Sequence, residues 1–144
     1  MRYAIALAGG FLLAAAGSLA ADRTCPLGRA PIFGEDFLSM PDCIAAHDLH
    51  AACALGTAGD AKLAAAVVSK CESGFAARLD AAQRRVYARR GTACRAAYGD
   101  APESKRIFAG AMCQEALAAA YFKDSVAGTI ARPPPWSGPP PAQP

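Results

Sequence analysis

Six cysteines, at positions 25, 43, 53, 71, 94 and 113, constrain this chain more than any other feature. What they become depends on the compartment, and the first residues address that. Arg2 precedes an apolar stretch from Ile5 to Ala16, and Ser18-Leu19-Ala20 puts small residues at the −3 and −1 positions, which predicts a secretory signal peptide over residues 1–20. The apolar stretch falls short of the roughly 20 residues of a transmembrane helix. Asp22, Arg23 and Thr24 stand where a lipid-modified cysteine has small or aliphatic neighbours, so Cys25 is expected to carry no lipid, and no stable membrane anchor is expected after cleavage. In an exported chain an even number of cysteines reads as three disulfides. No Cys-x-x-Cys occurs, which excludes thioredoxin-type redox chemistry, c-type haem attachment and the common zinc-knuckle spacings.

Removing 20 of 144 residues leaves 124, one domain with a modest core. Only Arg2 leaves the charge count, so 14 basic residues face 12 acidic ones. A net of +2 is too weak to argue for nucleic acid or anionic lipid as partner.

The expected organisation is an irregular segment over 21–41, a helical disulfide-bonded domain over 42–125 and a disordered proline-rich tail over 126–144. Pro26, Gly28, Pro31 and Gly34 interrupt any period in the first segment. Asp42 is a good N-cap for a helix to about Leu55, and Gly56 to Gly59 is a turn after which Asp60 can cap the next. Leu63, Val67, Cys71, Phe75 and Leu79 then recur every four residues, and Ala82 and Val86 extend the stripe. That pattern predicts one long central helix reaching Tyr98, with Gly74 and Gly91 as bending points. Pro102 suits the first turn of a third helix to about Lys123. Strand patterns are absent, so the fold class is all-α: a small three-helix, disulfide-stapled domain. Pro133 to Pro141 favours polyproline II over a helix or sheet.

Helix geometry reduces the fifteen possible cysteine connectivities. With a turn centred near Thr57, Cys43 lies 14 residues before it and Cys71 lies 14 after, at one level of an antiparallel hairpin. Cys94 and Cys113 sit on opposite sides of Pro102 and could also face each other, which leaves Cys25 for Cys53. Closing a 28-residue separation stabilises by about 3 to 4 kcal/mol on the loop-entropy argument.

Cys43, His47, His50 and Cys53 fall within about one third of a helix surface. Four ligands along one helix span about 15 Å, too far for one tetrahedral ion, and export favours disulfides over thiolates. No metal or other cofactor is therefore expected, and the two histidines read as surface or boundary residues. Arg78, Arg84, Arg85, Arg89, Arg90 and Arg95 crowd one stretch with only Asp80 to oppose them, either a solvated face or a patch for an acidic partner. Arg90 and Gln83 border the apolar stripe, so Arg90 is expected to be partly buried and paired with Glu103 or Glu115. No Ser-His-Asp, Cys-His or paired-carboxylate site can be assembled, and with three cysteine pairs formed no free thiol remains, so no catalytic residue is nominated and a non-enzyme is expected.

The stretch from Ala82 to Cys94 resembles the signature of the LprI-type lysozyme-inhibitor family of small exported helical proteins. Gln83, Tyr87, Arg90 and Cys94 fit its glutamine, aromatic, arginine and cysteine; Cys113 and the Cys43/Cys53 spacing also fit. Val86 stands where the family has tryptophan, and Gly91 where it has an acid. The resemblance, spanning roughly Cys43 to Phe122, implies a periplasmic or secreted protein whose partner is a lysozyme-like hydrolase or another envelope protein. A structural or stress-protective periplasmic protein, or an immunity protein to a secreted toxin, are the alternatives. Lysozymes are commonly cationic, so such an inhibitor would profit from an acidic surface, whereas the stretch carrying this signature is rich in arginine.

Overall fold

The computed structural model describes residues 25–28 and 32–130; the expected signal peptide and the proline-rich stretch from Arg132 lie outside them. The described residues form no strand; they contain α1 (Gly34–Leu38), α2 (Cys43–Cys53), α3 (Asp60–Phe75), α4 (Ala81–Ala96) and α5 (Glu103–Val126), with a 3-10 turn over Ala76–Arg78. The all-α, disulfide-stapled reading holds. The three-helix count does not, for two local reasons.

The first is the short α1 inside the segment read as irregular. Phe37, 1% exposed, drives it against the core, and the Asp36 carboxylate accepts a hydrogen bond from the Phe33 backbone N–H at 2.7 Å. The second is a break in the long central helix. The apolar stripe runs unbroken through Phe75 and Leu79, both buried, but the backbone between them leaves the α-helical path. Asp80 restarts it: its Oδ1 accepts from the Gln83 N–H at 2.8 Å while Gln83 Oε1 accepts from the Asp80 N–H at 2.8 Å. This reciprocal capping box offers the backbone a partner in place of the i−4 carbonyl. Neither Gly74 nor Gly91 is the breaking point. Asp42 caps α2 as expected, accepting from the Ala45 N–H at 2.9 Å. Asp60 lies within the first turn of α3, where its carboxylate accepts from the Thr57 N–H at 2.8 Å and closes the preceding turn.

The main core lies where α3 and α5 pack along each other, with α1 and α2 adding Phe37, Ala46 and Leu49 to Val67, Phe75 and Leu117. Three disulfides tie the pieces together. Cys25–Cys53 joins the N-terminal segment to the end of α2, Cys43–Cys71 joins α2 to α3, and Cys94–Cys113 joins α4 to α5, at Cα separations of 4.6, 4.7 and 5.4 Å. All three bonds are the pairs expected from the sequence, two from the helix hairpins and Cys25–Cys53 as the remaining one. At the end of α5, Gly128 takes a positive φ of 71°, its N–H donating to the Ser125 carbonyl and Thr129 N–H to the Asp124 carbonyl. That Schellman closure turns the chain so that Ile130 packs on the core, and residues 126–130 belong to the folded domain rather than the tail.

Candidate functional site

Two inward-facing clusters and one outward face hold the chemistry-bearing side chains. The first cluster corrects the reading of His50 as a surface or boundary residue, whereas His47 is a boundary residue as expected. They sit three apart on α2, on the face that carries Cys43 and Cys53, so both turn toward the bundle. Glu115 on α5, fully buried, receives them one on each oxygen: His47 Nδ1 lies 2.7 Å from Oε1 and His50 Nδ1 2.5 Å from Oε2. A carboxylate in this place would only accept, each imidazole then presenting an Nδ1–H to it. The His50 side chain is completely buried, and the edge of its ring system meets Phe37, with centroids 5.6 Å apart. His50 Nε2 is buried with no hydrogen-bond partner. His47 keeps 22% of its side chain in contact with solvent. The cluster thus adds two polar contacts between α2 and α5 to the apolar core that these helices share. With Cys43 and Cys53 in disulfides and both imidazoles directed at Glu115, this face is not organised around an ion, and no group among the described residues is arranged to hold a metal. The angular grouping of His47 and His50 with two staple cysteines was the signal for their burial; nothing local pointed to Glu115.

The second cluster gathers the four signature residues on the inner side of α4. Gln83 completes the capping box and sends its Nε2 to the Ile130 carbonyl at 3.1 Å, so it also fixes the chain beyond α5. Tyr87 packs edge-on against Phe75 and Tyr121, and its hydroxyl donates to Glu72 Oε1 at 2.8 Å. Burial first, then the hydrogen bond and negative charge of Glu72, pushes the Tyr87 phenol well above its ordinary value. Arg90 is half-buried, as expected, but neither Glu103 nor Glu115 is its partner. Glu103 is exposed at the start of α5 and Glu115 is occupied by the histidines. Arg90 lies beside the Tyr121 hydroxyl instead, and its charge opposes the rise that burial imposes on that phenol. Cys94 closes the cluster through its disulfide to Cys113. All four residues therefore act on the fold from within.

No protein-family model, curated protein or solved structure matches this chain.

The opposite side of α4 faces outward. This helix contains five arginines and no acidic residue. Arg90 points inward; Arg84, Arg85, Arg89 and Arg95 are exposed. Arg95 reaches Thr92 Oγ1 at 3.1 Å, whereas among the described residues no side-chain hydrogen bond or ion pair engages Arg84, Arg85 or Arg89. Between them stand Ala81, Ala88, Thr92 and Ala96, all exposed and small. Cys94 is the one buried residue of α4, so the helix is an outer ridge of the domain. It is held stiffly, by the capping box, by the disulfide and by Gln114 Nε2, which donates to the Gly91 carbonyl at 3.1 Å.

Proposed function

We propose that the protein is a non-enzymatic binding protein of the periplasm or cell exterior that inhibits a lysozyme or a related envelope hydrolase. Three disulfides are the chemistry of an oxidising compartment. Among the described residues no helix is long and apolar enough to cross a membrane. The observation that carries the reading is the α4 ridge: a convex helix, tied down by a capping box, a disulfide and Gln114, whose exposed guanidinium groups are not engaged by acidic side chains. A helix already held in place lowers the backbone ordering cost of binding. The likeness of Gln83, Tyr87, Arg90 and Cys94 to the LprI-type signature supplies the target class. The purified, oxidised protein should slow lysis of a peptidoglycan suspension by lysozyme in a turbidity assay at micromolar concentration. Full lysis rates with every lysozyme class, and native circular dichroism, would leave the structural or stress-protective reading in its place.

A further inference from the structure

We propose that Arg85 and Arg89 form a carboxylate clamp that enters the cleft of the target glycoside hydrolase and pairs with its two catalytic carboxyl groups. The proposal rests on the inhibitor reading above and names the contact it would use. Residues four apart on a helix stand one above the other, with Cβ atoms about 5–6 Å apart. The two carboxyl groups of a retaining glycosidase are about 5–5.5 Å apart, and those of an inverting one about 6.5–9.5 Å. The Cβ atoms of Arg85 and Arg89 lie on that scale, their flexible stems let the two guanidinium groups spread to either separation, and each guanidinium offers the planar fork that takes a carboxylate on two hydrogen bonds. The neighbouring Ala88 and Thr92 leave no bulk to hold a cleft wall away from the helix. Equally, they offer no large apolar side chain to enter a lipid interface, which separates this ridge from a membrane-binding helix.

Inhibition follows from the acid–base chemistry. One of the two enzyme carboxyl groups must stay protonated to act as general acid. A guanidinium placed beside it favours the ionised form, so its proton passes to solvent and the acid is lost while the cleft is blocked.

Charge on the rest of the chain removes the difficulty of a basic inhibitor meeting a cationic enzyme. Residues 33–75 carry six acidic residues and two lysines, with Glu35, Asp42 and Asp48 exposed, whereas α4 carries only arginine charge. The protein thus offers positive charge for an acidic cleft on one element and negative charge for a cationic enzyme body on others. Repulsion between distant exposed charges fades beyond about 8 Å at physiological salt, while contacts inside a cleft are screened far less.

The test compares the full oxidised protein with R85A/R89A and, as a control of charge elsewhere, K62E, which alters an exposed lysine in the first turn of α3. Inhibition of a c-type lysozyme is measured against increasing chito-oligosaccharide, which fills the same cleft. Retention on immobilised poly-L-glutamate and on phosphatidylglycerol vesicles is measured in parallel. Wild type should inhibit in competition with the oligosaccharide, R85A/R89A should raise the inhibition constant at least tenfold, and K62E should inhibit like wild type. Inhibition by R85A/R89A equal to wild type would overturn the clamp and leave the inhibitor reading standing. If wild type inhibits no lysozyme, the inhibitor reading falls and the carboxylate arm decides the ridge. Retention on poly-L-glutamate that R85A/R89A loses then supports it as a paired-carboxylate site. No retention, or equal retention on the vesicles, refutes it.

Discussion

Replacing Glu115 by alanine isolates the charge cluster that ties α2 to α5. The carboxylate is fully buried and accepts from both His47 and His50. Once it is gone, His50 has no partner at Nδ1, and its Nε2 already lacks one, so a wholly buried imidazole would be left with no hydrogen bond. A buried polar group deprived of its partner costs about 1–3 kcal/mol, and hydrogen bonds to a charged group contribute about 1.5–3 kcal/mol. His47 is partly solvated, so water replaces its bond and the loss there is about 1 kcal/mol. The total expected for Glu115→Ala is about 2–4 kcal/mol. In a domain of this size each kcal/mol moves the melting temperature by about 4–8 °C, so the midpoint should fall by at least about 8 °C. Urea unfolding of the oxidised protein, followed by circular dichroism, measures the loss directly. His50→Leu combined with Glu115→Leu should recover much of it, because exchanging a buried polar pair for apolar groups of similar volume is often near neutral. A Glu115→Ala protein within 1 kcal/mol of wild type would refute this account of the cluster.

Two further perturbations separate packing from titration. Gly74→Ala should destabilise by about 1–3 kcal/mol although alanine is the better helix former. Its Cβ would stand 2.5 Å from the Phe122 ring, whereas Gly91→Ala meets open space and should stabilise by up to about 1 kcal/mol; urea midpoints of the two variants check both signs. Tyr87 and Tyr121 are both held above the ordinary tyrosine pKa of 10.0, chiefly by burial. A phenol whose folded pKa is raised contributes stability that is complete below pH about 10 and declines as the pH rises beyond it, because the unfolded chain releases the proton first. Absorbance at 295 nm should therefore show tyrosine ionising at higher pH in the native protein than in guanidinium. Tyr87→Phe should reduce the alkaline loss of stability.

The residues themselves determined helicity, the position of α2 and the disulfide pairing, because each is local or nearly so. Asp42 caps through a bond three residues away, and Cys43 and Cys71 fall at one level as soon as a short turn near Thr57 folds two helices together. The Asp80/Gln83 capping box was equally local, four residues long, but the apolar repeat through Leu79 and Val86 overshadowed it. A buried stripe does not require continuous helix; Leu79 is buried although its backbone is extended. Tertiary structure alone decided the partners of the charged groups. His50 and Glu115 are 65 residues apart, and Arg90 on α4 lies beside the Tyr121 hydroxyl on α5. Periodicity tells which face of a helix turns inward, but a polar group's partner depends on how the helices are rotated and translated against one another. No single segment carries that information. The same holds for the arginine ridge: its composition was plain in the chain, but only the packing of α4 on α5 turned Arg90 inward and left Arg85 and Arg89 outside.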